Sequence, residues 1–177
     1  MADRHMLDPR PSGLDADAFV AAYGDVYEHS PWIARLAHAA GLGPEADTAE
    51  GLAAKLAAVF TAADRERQLE VLRAHPDLAG KAAIRGELTA DSSAEQAGAG
   101  LDQCSPEEFA RFQRLNEAYR ARFGFPFIMA VRGRHRREIL EAFERRLRNG
   151  RDTELATAVE QVNRIALLRL LARAGAG

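Results

Sequence analysis

Three short segments of the chain carry residues that could bind and protonate a small polar ring. The first is His75-Pro76-Asp77-Leu78, in which a proline restricts the backbone beside a titratable imidazole. The second is the run 92–96 (SSAEQ), which places a carboxylate and a carboxamide side by side. The third is the run 123–128 (FGFPFI), which is too apolar for an ordinary surface connection. Because histidine and carboxylate side chains are common general acids and bases, the pattern indicates proton transfer to a bound ligand.

The polar residues of these segments, and one arginine, also have purely structural interpretations. His75 precedes a proline, so we expect it at a helix end, where an imidazolium complements the helix dipole. Glu95 follows Ser92 at the spacing of a capping box, a reciprocal pair of hydrogen bonds at a helix start. Arg169 lies on the apolar stripe of the last predicted helix, where an arginine either extends to solvent or needs a buried anionic partner. Local sequence leaves both interpretations open.

The aromatic run has two interpretations as well. It either packs as core at a turn between helices or lines a ligand pocket. Pro126 favours an extended conformation at Phe125, and Gly124 permits a left-handed turn. The backbone that follows should be irregular, and its N–H and C=O groups could bind the edge of a planar heterocycle. The small residues of Ala97–Gly100 similarly indicate either a tight helix crossing or a close approach of ligand to backbone.

The elements that must position these residues are predicted to be helices. The sequence is 47% hydrophobic and 28% charged, with both signs interleaved, which is typical of a helical protein. Ser105-Pro106-Glu107-Glu108 predicts a capped helix start, and Gly124 predicts the end of that helix. Only residues 127–131 have β character. We expect an all-α fold, a single-domain irregular bundle of about seven to nine helices over residues 15–174, after a flexible tail of residues 1–14.

Composition argues against several classes of function. A net charge of −2 gives no global field that would recruit nucleic acid or an anionic membrane. The single cysteine, Cys104, excludes an internal disulfide, and no two of the five histidines have the spacing of a helical metal pair. No apolar run approaches the ~18 residues of a membrane span, and residues 1–11 have no signal-like apolar core. We therefore expect a cytoplasmic protein with no nucleic-acid or membrane partner.

In their order and spacing, these segments resemble the decarboxylases that act on 2-oxo-4-hydroxy-4-carboxy-5-ureidoimidazoline (OHCU) in urate breakdown. The resemblance extends from about Asp15 to Leu171 and includes Leu115-Asn116-x-x-Tyr119 and the closing run 165–170 (IALLRL). It implies an all-helical homodimer that converts OHCU to (S)-allantoin and needs neither a metal nor an organic cofactor.

The resemblance also implies roles for individual residues. The catalytic residues are His75, as proton donor, with Glu95 and Arg169. The residues implied to contact substrate are Pro76, Ser92, Ser93, Ala94, Glu95, Gln96, Phe127, Ile128, Met129, Ala130 and Val131. We expect Glu95 to accept a hydrogen bond from the ring and Arg169 to balance negative charge.

Two other functions are also consistent with these residues. One is a hydrolase or isomerase acting on a related imidazoline or hydantoin. The other is a helical ligand sensor, which would usually need an effector region that the sequence lacks. A purely structural scaffold would leave the placement of His75, Glu95 and Arg169 unexplained. The catalytic hypothesis requires His75 and Glu95 to converge on one cavity covered by phenylalanines.

Overall fold

The computed structural model describes residues 5–175, and in that range it contains nine α-helices and no β-strand. The helices are α1 (Ala16–Tyr23), α2 (Trp32–Ala39), α3 (Ala49–Ala62), α4 (Arg65–Ala74), α5 (Lys81–Ile84), α6 (Ala90–Gly98), α7 (Pro106–Phe123), α8 (Arg136–Arg146) and α9 (Arg151–Arg173). The all-α prediction is confirmed, and residues 127–131 are irregular rather than extended in a sheet. None of these helices combines the length and the apolar composition that a bilayer crossing requires.

The chain divides into two compact units. The first comprises Met1–Ala74 and Val162–Gly177, and the second comprises His75–Gln161. Helix α9 contributes residues 151–161 to the second unit and residues 162–173 to the first. The domain limits proposed from sequence, at residues 15 and 174, stay a prediction.

The first unit has a core of aliphatic and aromatic side chains from its helices. Residues with no exposed surface include Phe19, Ile33, Leu52, Leu56, Phe60 and Leu72. Helix α1 begins at Asp15, whose carboxylate accepts from the N–H of Ala18 at 2.8 Å. Helix α3 begins in the same way at Thr48, which accepts from the N–H of Gly51. These side chains satisfy N–H groups that have no partner inside the helix.

The predicted flexible tail makes specific contacts where its residues are described. Leu7 is buried, and its N–H donates to the carbonyl of Asp47 at 2.9 Å. Ser12 donates to the Asp47 carboxylate through its backbone N–H and its hydroxyl, at 2.8 Å each. These contacts depend on a distant aspartate whose acceptors local sequence does not reveal, and the flexibility of residues 1–14 stays a prediction. Residues 1–4 lie outside the described range.

The second unit has an aromatic core around α7 and α8. Its buried side chains include Phe112, Tyr119, Phe123, Phe125, Phe127, Ile139 and Phe143. The predicted capping box is confirmed at Ser105, which accepts from the N–H of Glu108 while the Glu108 carboxylate accepts from the N–H of Ser105. Gly124 ends α7 in the left-handed conformation, at φ 79°. Helix α7 is therefore capped at both ends, by the Ser105 side chain and by the Gly124 backbone, and these caps stabilise the helix on which the aromatic core packs.

Candidate functional site

His75 directly follows the last residue of α4, as predicted. Pro76 disfavours the helical conformation for the residue before it, so the helix ends at Ala74. The imidazole of His75 is buried, with only 6% of the residue exposed. A histidine that only complemented a helix dipole would not need this burial. The buried position therefore favours the interpretation in which His75 acts on a bound ligand.

The segment after His75, residues 75–80, is called the His75 loop here. Its irregular backbone is bound by a side chain of α6. The Gln96 amide oxygen accepts from the N–H of Ala79 at 3.0 Å, and the Gln96 amide nitrogen donates to the carbonyl of Asp77 at 3.2 Å. The Gln96 carboxamide therefore attaches the His75 loop to α6. It supplies hydrogen bonds to backbone groups that lie outside helices and would otherwise have no partner among the residues described.

Helix α7 binds the His75 loop from residues three positions apart on one helix face. The Asn116 amide donates to the carbonyl of Leu78 at 3.0 Å. The Gln113 amide donates to the carbonyl of Ala79 at 2.7 Å. Residues at this spacing lie on the same side of a helix, so both donors point to the same stretch of chain.

The His75 loop turns tightly. Ala79 has a φ of 50°, which is uncommon for a residue with a side chain. A Cβ atom on Gly80 would lie 2.7 Å from the Cβ of Asp77, so only glycine fits that position without a shift. Asp77 is itself bound by Arg120, whose Nε lies 2.9 Å from its carboxylate. Unusual backbone held by fixed polar partners is common at functional segments.

Helix α6 begins earlier than predicted. Its N-cap is Thr89, whose hydroxyl accepts from the N–H of Ser92 at 3.2 Å. The predicted capping box of Ser92 and Glu95 is therefore wrong, because Ser92 already lies in the first turn of the helix. This start places Ser92 where its side chain is turned into the protein, with 4% of the residue exposed.

The five residues 92–96 are unequally exposed. Ser92 and Gln96, one helical turn apart, are both buried. Glu95 is half-buried beside them, whereas Ser93 and Ala94 are exposed. The inner side of α6 therefore presents a hydroxyl, a carboxylate and a carboxamide, which together can donate and accept hydrogen bonds.

The aromatic segment, defined as residues 125–131, follows α7 and packs on α8. Phe127 stacks on Phe143 with ring centroids 3.9 Å apart and planes 10° from parallel. Tyr119 meets Phe127 edge-on at 5.5 Å. Within the aromatic segment only Met129 is half-exposed, and the other residues are buried. The two interpretations from sequence are thus not exclusive, since the rings form core while the backbone runs irregularly.

Part of the backbone of the aromatic segment is already bound by the protein. The carbonyl of Ile128 accepts from Nη1 of Arg146 at 2.6 Å. The N–H of Ala130 donates to the side-chain oxygen of Gln161 at 2.9 Å. Met129 makes no hydrogen bond with any residue in the described range. A ligand contacting this segment would therefore find backbone groups at Met129 rather than at those two atoms.

Arg169 belongs to the first unit and is buried there. Its Nη2 donates to the Glu28 carboxylate at 3.0 Å, and its Nη1 donates to the carbonyl of Val26 at 3.2 Å. The inward arginine thus has the carboxylate partner that its burial requires. His75, Glu95 and all the predicted substrate contacts belong to the second unit.

The second unit contains a cavity of about 500 Å³ that was not predicted from the sequence. Residues lining it include Ala79, Gly80, Ser93, Gln96, Cys104 and Phe109. The cavity thus borders the end of the His75 loop and α6, but its lining does not include His75 or Glu95. The convergence of these two residues on one cavity stays a prediction.

The cysteine at this cavity is not an activated nucleophile. Burial, together with the charge of Glu108, raises the pKa of the Cys104 thiol above its usual range. The thiol is therefore protonated near neutral pH and reacts poorly. Residues 5–175 contain no grouping of three His, Cys, Asp or Glu side chains that could hold a metal ion.

Sequence comparison matches the chain to one protein family. The family pattern described as OHCU decarboxylase matches residues 12–171. The OHCU decarboxylase of Haloferax volcanii is 48% identical over 160 residues, which cover 90% of this chain and 91% of that protein. That of Halalkalicoccus jeotgali is 44% identical, over 88% of this chain and 85% of that protein. A human protein described as a putative OHCU decarboxylase is 40% identical, over 90% of each chain.

Solved structures share the fold. The crystal structure of (S)-allantoin synthase superposes with a TM-score of 0.72 at 30% identity, over 92% of this chain. This chain spans 52% of that protein. A crystal structure of OHCU decarboxylase in the presence of (S)-allantoin superposes with a TM-score of 0.64, over 80% of this chain and 89% of that one. At 22% identity, the second likeness shows the fold alone.

Proposed function

Because the chain belongs to the OHCU decarboxylase family, we propose that it decarboxylates OHCU to allantoin in urate degradation. The observation that carries this proposal is the family match over residues 12–171, which contains every residue given a role below. The 48% identity to a decarboxylase matched over nearly its whole length supports the same reaction.

Decarboxylation of OHCU depends more on the delivery of a proton than on attack by a nucleophile. When CO₂ leaves OHCU, the electron pair of the broken C–C bond stays on the substrate. The neighbouring C=N bond of the ring accepts that pair, so its nitrogen is protonated and a C=C bond forms between its carbon and the hydroxyl-bearing carbon that lost CO₂. As this enol loses its hydroxyl proton and becomes the ring carbonyl, the ureido-bearing carbon of the former C=N bond must receive a proton. We assign this proton to His75, because an imidazole exchanges protons near neutral pH and this one is buried at a fixed bend. Delivery to one face of the ring produces the (S) configuration.

Glu95 is the second catalytic residue of the proposal. The start of α6 at Thr89 relieves Glu95 of the capping duty that its spacing suggested. Its half-buried carboxylate, beside the buried Ser92 and Gln96, is suited to accept a hydrogen bond from the ring N–H or hydroxyl of OHCU. A carboxylate there also crowds the leaving carboxylate, which favours its loss.

The remaining contacts orient the substrate. Pro76, the inner side of α6 and the backbone around Met129 in the aromatic segment bind the ring and its ureido group. Ser93 and Ala94 are exposed, and Ser93 also lines the cavity of the second unit. The role of Arg169 toward substrate stays a prediction from the family resemblance, and Glu28 and Val26 are among the groups to which its guanidinium donates.

The assembly and location of the protein follow from the same resemblance. We propose a homodimer in the cytoplasm, as the family resemblance implies. Light scattering coupled to size-exclusion chromatography tests the first statement, and a monomer at the concentrations used for assay would contradict it.

The decisive assay uses OHCU made freshly from urate by the upstream enzymes. OHCU also decays unaided to racemic allantoin, so circular dichroism distinguishes enzymatic from spontaneous product. The protein should produce optically active allantoin faster than the spontaneous reaction. Production of racemate at the spontaneous rate would contradict the proposed function.

Two substitutions test the assigned roles. His75→Gln and Glu95→Gln should each lower turnover by ~10²–10⁴-fold, the usual worth of positioned acid–base catalysis, while the melting temperature stays unchanged. Glu117→Gln, an exposed change on α7, is the matched control and should have wild-type turnover. Near wild-type turnover in His75→Gln would remove this histidine from the mechanism.

A further inference from the structure

The carbonyl groups of the His75 loop depend on side chains for their hydrogen bonds. Leu78 and Ala79 are both buried, and neither lies in a helix. A buried backbone carbonyl outside regular structure needs a donor from elsewhere in the protein. For Leu78 that donor is the amide of Asn116, at 3.0 Å, and for Ala79 it is the amide of Gln113, at 2.7 Å.

Asn116 is poorly explained by stability alone. The residue is 4% exposed, and its Oδ1 is buried without a hydrogen-bond partner among residues 5–175. A buried acceptor without a donor is costly, and this cost offsets part of what the hydrogen bond to Leu78 contributes to stability. The Asn116 side chain therefore makes one hydrogen bond, to the carbonyl of Leu78, while its buried Oδ1 accepts none from the described part of the chain. Such a compromise is typical of residues retained for function.

The backbone that Asn116 holds is strained and adjoins the proposed proton donor. Ala79 has a φ of 50°, a conformation that persists only where the surroundings enforce it. Leu78 is three residues from His75, and Pro76 stiffens the chain between them. A movement of the loop at Leu78 or Ala79 would therefore displace the His75 imidazole, because the stiff chain between them cannot take up the change.

We propose that Asn116, assisted by Gln113, is a positioning residue for His75. It holds the His75 loop so that the imidazole faces one side of the bound ring. The proposal rests on the proton-donor role of His75 in the proposed function. It concerns a residue that contacts neither substrate nor the reacting atoms and acts through the loop.

The test replaces Asn116 by leucine and measures kcat, KM and the enantiomeric excess of allantoin after subtraction of the spontaneous rate. A misplaced catalytic group can cost about a hundredfold in rate, so kcat should fall roughly tenfold to a hundredfold in Asn116→Leu. KM should change much less, because the substrate contacts remain. The enantiomeric excess should also fall, since a proton no longer delivered from a fixed side comes partly from solvent.

A purely structural residue would not move the stereochemical readout. Tyr23→Phe is the matched control, because Tyr23 is buried and its hydroxyl likewise donates to a backbone carbonyl, that of Pro9. This control should keep the wild-type kcat and enantiomeric excess. Gln113→Leu should show the same two losses as Asn116→Leu to a smaller extent, and it decides the question alone if Asn116→Leu does not fold.

The possible outcomes are distinct. Folded Asn116→Leu protein with wild-type kcat and enantiomeric excess would overturn the positioning role, as would equal losses in Tyr23→Phe. Wild-type protein that does not exceed the spontaneous rate would instead overturn the proposed function, and the two failures are therefore distinguishable.

Discussion

The His75 loop and the aromatic segment both carry predicted site residues on irregular backbone, yet different forces hold them. The His75 loop is bound by directional hydrogen bonds from Gln96, Gln113 and Asn116. The aromatic segment is held mainly by buried rings, with Phe127 stacked on Phe143. A proton donor must be aimed precisely, whereas a substrate wall must mainly exclude water and keep its shape.

This difference separates catalytic precision from stability. A hydrogen bond contributes ~0.5–1.5 kcal/mol net, so each polar contact of the His75 loop adds little to the free energy of unfolding. A buried aromatic ring contributes several times more through packing. We therefore expect damage to the polar contacts to appear in kcat and damage to the aromatic contacts to appear in stability.

The largest expected effect on stability is that of Phe143→Ala. Phe143 is fully buried and stacks on Phe127, so the change should lower the free energy of unfolding by about 3–5 kcal/mol. Urea unfolding followed by circular dichroism measures this loss. Any catalytic change should appear in KM, and Phe143→Leu should be milder in both respects. A fall in kcat as large as that of Asn116→Leu would erase the distinction between the two segments.

A smaller loss is expected from Glu154→Gln. The fully buried Glu154 carboxylate accepts from the Tyr119 hydroxyl at 2.6 Å and from Nε of Arg146 at 3.0 Å. Burial raises the pKa of Tyr119, so its hydroxyl keeps the proton that it donates. Breaking this buried ion pair should cost about 3 kcal/mol and loosen the Arg146 contact to the aromatic segment.

The matched control for this buried pair is an exposed one in the same unit. Arg111 pairs with Glu144 at 2.6 Å, but both side chains are more than two-fifths exposed. Arg111→Gln should therefore cost less than about 1 kcal/mol in the same unfolding experiment. Equal losses from the two substitutions would show that burial is not what makes the Glu154 pair important.

The smallest effect is expected from Arg120→Ala, which removes the outermost contact of the His75 loop. Arg120 pairs with Asp77 at 2.9 Å while 46% of its side chain is exposed. Such a pair contributes about 0–1 kcal/mol and weakens with added salt. Both kcat and the urea midpoint should stay close to wild type. A loss of kcat matching that of Asn116→Leu would mean that the exposed contact, not the buried one, positions the loop.

Signals that depend on neighbouring residues predicted local structure correctly. The capping box at Ser105, the helix end at Gly124 and the helix end before His75 all follow from atoms within about one helical turn. At Ser92 the capping pattern predicted the wrong helix start, because Thr89, three residues earlier, is also a suitable N-cap. Local chemistry cannot choose between two adequate caps, and the choice falls to the side chains that must face inward.

Contacts between residues distant in sequence could not be predicted from local patterns. The need of Arg169 for an anionic partner was predictable, but the identity of Glu28, 141 positions away, was not. The dependence of the His75 loop on Asn116, 38 positions from Leu78, had no signal beyond the family motif in which Asn116 occurs. Local sequence patterns do not indicate which helix face packs against which loop.

The helical class and most helix ends could be predicted from the amino-acid sequence, because each depends on residue type and on neighbours within a few positions, and the family resemblance could be predicted from the order of its motifs. The partners of Arg169, the true start of α6 and the polar contacts that bind the His75 loop emerge only once the chain is packed. Burial removes water as an alternative partner, so every enclosed polar group must find its partner among whatever side chains the packing brings close.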